Sequence, residues 1–302
     1  GALSWVTGMG GLMICGIYSK ENAALTPFFV LLVEYIAFGF GCANKTYQKV
    51  IRAFFLLLGF VPAFWLIGKT VFDPDWIAKM YGPKDFLLSD YLLSQGRVQW
   101  FYLRSVFIPN ISELGLYHDD FLMSDSIFSP PSTLVAVVGH AVLLCTAWLA
   151  RNRYRVVTFG IAWFYFGHAL ESTIFPLILV FEHRNYLPMV GPLIISVWAI
   201  SKAQLSEKTK AAIIGFCILV MAVLTMLRAE EWGAFLGFPL RQAEKHPASV
   251  RANFDAGRTL AMLVVDHPDL RDEYATQAIH YFERAANSPI KLPEPYLAAF
   301  QL

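Results

Sequence analysis

Long blocks of apolar residues alternate with short polar runs along most of this chain. Blocks at 3–18, 24–42, 53–72, 132–150, 156–170, 187–203 and 211–227 approach the ~20 mostly apolar residues that a membrane-crossing helix needs. The first is short where the chain begins, and the fifth and sixth are trimmed by polar motifs. After Arg228 the pattern changes: residues 241–302 are charged and amphipathic, with apolar and small positions at helical spacing around 252–260 and 277–286. The fold class predicted is all-α: a polytopic transmembrane helix bundle over 1–228, with about seven crossings, then a soluble helical segment over 229–302.

The connectors orient the bundle. Lys45, Lys49 and Arg52 share one; Arg151, Arg153 and Arg155 a second; Lys202, Lys208 and Lys210 a third. They alternate with connectors at 19–23, 73–131 and 171–186, which hold most of the acids of the membrane part. Lys and Arg stay preferentially on the cytoplasmic side, so the second set, and the tail after Arg228, face outward. Within the long outer connector, residues 96–108 mix Arg97 and Arg104 with Trp100, Phe101, Tyr102 and Phe107. This combination predicts a helix lying in the headgroup layer, since a further crossing would invert every later loop.

Composition agrees: 56% hydrophobic and 15% aromatic residues, with a mean hydropathy of +0.49, exceed what a soluble domain carries. A net charge of +1 gives no bulk attraction to nucleic acid, and none is expected as a partner. Cys15, Cys42, Cys145 and Cys217 lie in apolar runs without zinc or disulfide spacing. The chain opens without Met inside an apolar block and closes as a new helix begins, so it reads as a piece of a longer protein.

Candidate chemistry concentrates in residues 168–188, where His168, Glu171, Glu182, His183, Arg184 and Asn185 crowd between two greasy blocks. Ionisable groups at such a junction are costly to keep. His168 and Glu171, three apart, share a helical face; Arg184 offers a forked donor suited to phosphate; Asn185 and Tyr186 can bond hydroxyls. The structural alternative is an interfacial loop whose charges satisfy one another. A second cluster is Ser19-Lys20-Glu21-Asn22, where Lys20 suits a phosphate and Asn22 a sugar hydroxyl, or where the four simply form a capping turn. A third holds Glu113, Tyr117, His118, Asp119 and Asp120, whose His-Asp-Asp run leaves a divalent cation open beside a capping role for the acids. Glu34 and His140 sit deep in apolar blocks, suited to a proton path or to an interhelical hydrogen bond.

These residues carry a likeness. The Ser-Lys-Glu-Asn turn, Trp-Phe-Tyr-Leu-Arg at 100–104, Glu-Leu-Gly-Leu-Tyr-His-Asp-Asp-Phe at 113–121, His-Ala-Leu-Glu-Ser-Thr at 168–173 and Phe-Glu-His-Arg-Asn-Tyr-Leu-Pro at 181–188 resemble bacterial multi-spanning proteins with C-terminal tetratricopeptide repeats. Those in turn look like relatives of the transmembrane and tetratricopeptide-repeat O-mannosyltransferases, within the C-type glycosyltransferases. Gly257, Leu260, Ala278, Phe282 and Ala285 resemble the two helices of one repeat, with 262–274 as an enlarged turn and the break at Pro293 and Pro295 opening the next.

The resemblance implies transfer of a sugar from a polyprenyl-phosphate carrier to an acceptor, often a protein hydroxyl, at the outer face of a bacterial inner membrane. It implies a donor phosphate on Lys20, Arg97, Arg104 or Arg184, and sugar and acceptor near Asn22, His118, Asp119, His168, Asn185 and Tyr186. Glu171, Glu182 and His183 are the catalytic candidates, because the family's usual first-loop acid would precede Gly1. No resident metal or cofactor is assigned, and the bilayer, the lipid-linked donor and an acceptor held by the repeats are the partners. Rival expectations are a ligase or polymerase of lipid-linked glycans, and a membrane-anchored repeat scaffold without catalysis.

Overall fold

The computed structural model describes residues 2–39, 45–82 and 86–288, except for the side chains of 2–7, 9, 14, 21, 47, 51 and 54–63. Cys42, Pro293, Pro295 and the start of a further repeat lie outside the described residues. Among these residues all regular structure is helical: α1 (Ala2–Ser19), α2 (Thr26–Val33), α3 (Lys45–Phe72), α4 (Trp76–Tyr81), α5 (Leu88–Phe107), α6 (Ser132–Ala150), α7 (Arg155–His168), α8 (Val190–Lys202), α9 (Glu207–Gly233), α10 (Gly237–Lys245), α11 (Val250–Asp266) and α12 (Arg271–Ala286). Each apolar block of the sequence folds as a helix. Of these, α6 and α9 are long and apolar enough to cross a membrane. Their apolar flanks, including Val135, Trp148, Phe216 and Met226, stand exposed rather than packed, as a lipid-facing wall requires. A wider π turn, Glu34–Phe38, prolongs α2 and holds Glu34 half-buried; it closes at Gly39, whose φ of 60° favours a residue without Cβ.

Helix α7 packs against α2, α6 and α8. It crosses α8 in antiparallel fashion where Gly160 meets Gly191: a Cβ on Gly160 would lie 2.5 Å from the Gly191 carbonyl oxygen. Two glycines therefore let the backbones touch, as small residues do in helix pairs without room for side chains. The Trp163 indole donates to Leu187 O at 2.9 Å and its ring lies 4.2 Å from Phe29, fixing the outer half of the same contact. Between α5 and α6, Trp100 Nε1 donates to Ala136 O at 3.1 Å. His140 joins three helices: Nε2–H donates to Gly96 O at 2.8 Å, so Nδ1 is left to accept from the Tyr165 hydroxyl at 2.7 Å. The interhelical role of this histidine is thereby realised.

The C-terminal part forms a helical hairpin of α11 and α12, with Ala256, Leu260, Ala278 and Ala285 buried between them and Phe282 over Gly257. The enlarged turn expected over 262–274 does not form. Helix α11 continues to Asp266 and only a short 3-10 turn, Pro268–Leu270, joins it to α12. Nothing in Met262–Asp266 breaks a helix; Pro268, which lacks a backbone donor, is the first residue that does. Helix α9 runs on past Arg228 to Gly233, and Ala229–Trp232 contains no helix breaker.

Gly160→Val is expected to lower stability by about 1–3 kcal/mol through overpacking, whereas Gly215→Ala, facing open space, should stay within about 0.5 kcal/mol. Unfolding by denaturing detergent, followed by circular dichroism, measures both.

Candidate functional site

The segment between α7 and α8 is irregular apart from one 3-10 turn, Glu182–Asn185. Its buried backbone groups need partners outside themselves, and α5 supplies them. The Tyr91 hydroxyl donates to Glu171 O at 3.0 Å, Gln95 Nε2 to Leu179 O at 3.2 Å and the Tyr102 hydroxyl to Phe181 O at 3.1 Å, while Phe181 N donates back to that hydroxyl at 2.7 Å. Tyr91, Gln95, Val98 and Tyr102 follow one another at four, three and four residues, so one buried helix face carries them all. Burial raises the phenols of Tyr91 and Tyr102 and keeps them protonated as donors. Residues 96–108 thus belong to a longer helix that braces the loop.

Two polar groups flank the 3-10 turn. On one side, buried Glu171 accepts from Asn22 Nδ2 at 2.9 Å and places its other oxygen 3.4 Å from Arg184 Nε. That distance suits ion pairing, although the atoms are not aligned as a hydrogen bond. Arg184 also donates to Ile178 O, and Lys20 stands exposed at the end of α1. On the other side, Glu182 gathers three donors: His118 Nε2–H at 2.9 Å, Gly115 N at 2.6 Å and Arg228 Nη2 at 3.1 Å.

His183 lies between the two groups. It is exposed, sits edge-on to Phe181 with ring centroids 4.5 Å apart, and makes no side-chain hydrogen bond among the described residues. Partial desolvation, then the Lys20 and Arg184 cations, hold its imidazole below the ordinary histidine range, hence neutral near pH 7. Asn185 donates to Tyr102 O at 3.0 Å. Behind it, His168 stacks on Tyr102 at 5.2 Å, fully buried, and neither of its ring nitrogens has a hydrogen-bond partner among the described residues.

A cavity of about 410 Å³ opens beside the turn, between α5 and the C-terminal end of α9. Its wall is mostly aromatic and aliphatic (Phe101, Tyr102, Phe181, Met189 and Trp232 among others), with Ser105, Glu182, His183, Asn185 and Arg228 as the polar exceptions. Tyr186 lines it too.

Several residues expected at the site are engaged elsewhere. Arg97 donates to Leu122 O at 2.5 Å and stacks on Phe121, so it braces the outer loop. Arg104 forms a forked ion pair with Glu113, holding that carboxyl below the usual carboxylate range. Asp119 caps α11, accepting from Val250 N at 2.9 Å, Arg251 N at 3.3 Å and the Ser249 hydroxyl at 2.5 Å. Asp120 pairs with His246 Nδ1 at 3.0 Å. His118, Asp119 and Asp120 therefore point to three different partners, and among the described residues no group of three or more His, Cys, Asp or Glu side chains is placed to hold a cation.

The same loop docks the C-terminal helices onto the site. Leu116 N donates to Gln242 Oε1 at 2.7 Å, Gln242 Nε2 to Glu231 at 3.1 Å, and Lys245 pairs with Glu231 at 2.7 Å. A Cβ on Gly115 would meet Gln242 Oε1 at 2.5 Å and His246 Nε2 at 2.8 Å, so the loop lies close against both side chains.

Arg228, Trp232 and Tyr102 are the functional candidates that sequence reasoning passed over. Arg228 did carry a signal: it sits at the end of α9 that the charge alternation turns outward, where arginine is disfavoured without a partner.

Two outcomes follow from this geometry. Lys20→Ala should raise the His183 pKa, because removing a neighbouring cation favours the imidazolium; a titration of ring-labelled histidine by NMR reads the midpoint. Asp119→Ala should speed amide exchange at Val250 and Arg251 and cost about 1 kcal/mol of local stability, visible by hydrogen–deuterium exchange. No protein-family model matches this chain, and no curated protein or solved structure is detectably similar to it.

Proposed function

We propose that this chain is a multi-pass membrane glycosyltransferase of the C type, moving a sugar from a polyprenyl-phosphate donor to a protein hydroxyl on the outer, periplasmic face of a bacterial inner membrane. In this reading α1, α2, α3, α6, α7, α8 and α9 cross the bilayer, and the α11–α12 hairpin is a tetratricopeptide repeat that holds the acceptor. The observation that carries it is the gathering of Asn22, Glu171, Arg184, Glu182, His118 and Arg228 around one short turn, next to a largely apolar cavity. A lipid-linked donor needs both features: an apolar approach, and cations beside the phosphate to stabilise the charge that develops as the anomeric bond breaks. Lys20, exposed, and Arg184, 12% exposed at the side chain, are the cations at the outer side of the turn.

The ion pairs also favour a second reading, in which Glu171–Arg184 and Glu182–Arg228 only knit a membrane-anchored scaffold together. The two separate in one assay. Arg184→Ala should abolish transfer from a polyprenyl-phosphate sugar while the protein still inserts into membranes; transfer at the wild-type rate by that variant would refute the phosphate role. Joint substitution of His168, Glu171 and Arg184 without effect on any activity of the protein favours the scaffold.

A further inference from the structure

We infer that His183 is the base that takes the proton from the acceptor hydroxyl, and that the cavity beside it holds the acceptor as a short peptide segment. The inference rests on the glycosyltransferase reading and adds to it a base and an acceptor bay.

His118 is turned to Glu182 and His168 is fully buried, which leaves Glu171, Glu182 and His183 as candidate bases, and their surroundings separate these three. Glu171 is buried, with one oxygen bonded to Asn22 and the other against Arg184. Glu182 already accepts from three donors, His118, Gly115 N and Arg228, which hold both of its oxygens towards the protein. His183 alone of the three is exposed, lines the cavity and has ring nitrogens without a hydrogen-bond partner among the described residues. Its contact with Phe181 fixes the ring without using either nitrogen. Lys20 and Arg184 lie near enough to act on the His183 ring, and His183 lines the cavity together with Glu182 and Arg228. It thus borders both the cations and the cavity, which is where a base between two substrates must stand.

The step balances within this arrangement. The acceptor oxygen forms a bond to the anomeric carbon as the bond from that carbon to the phosphate oxygen breaks. The electron pair leaves with the polyprenyl phosphate, beside the two cations. The hydroxyl proton passes to the His183 imidazole and later to solvent.

The cavity wall selects the acceptor. Phe101, Tyr102, Phe181 and Trp232 form an apolar part of the wall, and the polar groups gather towards Glu182, His183 and Arg228; an occupant with apolar side chains and one hydroxyl matches that division. A peptide presents apolar side chains to such a wall and a single hydroxyl to His183. Leu116, which lines the cavity, donates its backbone N–H to Gln242, so the loop at the cavity is tied to α10.

The test uses the full chain in lipid nanodiscs, with polyprenyl-phosphate mannose as donor and either a serine-containing peptide or an oligosaccharide as acceptor. His183→Ala and His183→Gln should each lower peptide mannosylation about 100-fold or more while donor binding stays unchanged. Added imidazole should restore at least part of the His183→Ala rate and none of the His183→Gln rate. A His183→Ala rate close to wild type, or a loss that imidazole leaves untouched, overturns the role of His183. Transfer by the wild type to the oligosaccharide but not the peptide overturns the acceptor bay. Wild-type protein that transfers to neither acceptor overturns the glycosyltransferase reading itself.

Discussion

The hydrogen bonds from one face of α5 to the backbone of residues 171–185 are the constraint on which the site depends. A buried chain segment without helix or strand has carbonyls that nothing local can satisfy, and each left bare costs on the order of 1–3 kcal/mol. Tyr81, Tyr91, Gln95 and Tyr102 answer four of them, at Ile174, Glu171, Leu179 and Phe181. Because the donors are long side chains on rigid helices, they fix the loop at intervals along its length. The 3-10 turn, and with it His183, Arg184 and Asn185, is placed by this bracing more than by its own hydrogen bonds.

The second organising principle is charge pairing. Arg104, Arg184 and Arg228 each face a glutamate, and Lys245 faces Glu231. Inside a partly desolvated region such pairs add little net stability, yet removing one member strands the other. This makes the pairs a means of holding geometry, and it links three parts of the chain far apart in sequence: the outer loop, the turn before α8 and the end of α9. Glu182 is the shared node, bonded at once to His118 and to Arg228.

Much of this was legible in the sequence, for identifiable reasons. The helices were, because apolar blocks of that length have few other solutions, and so was the irregular segment between α7 and α8, because polar groups there interrupt such blocks. His140 was legible as one of two roles. What could not be read was the partner of each charge. Arg97 and Arg104 have the composition of a phosphate site but meet a carbonyl and Glu113 instead, and Asp119, adjacent to His118, caps a helix some 130 positions later. Partnerships of that kind depend on tertiary packing, which spacing does not encode. The same holds for the cavity, whose wall combines α5, the turn and α9. The end of α11 follows from simpler local chemistry: Met262–Asp266 contains no helix breaker, and Pro268 is one.

Helix α9 spans 27 residues without interruption, about 40 Å of rod at 1.5 Å per residue. As a crossing helix through a hydrocarbon layer of ~30 Å, it has ~10 Å to spare. Its last turns, bearing Arg228, Glu231 and Trp232, then act as a fixed pillar under α10, tied at Lys245 and Gln242. On the proposed topology, whatever the C-terminal helices hold would be kept at a set height above the bilayer, as a bench is set by the length of its legs.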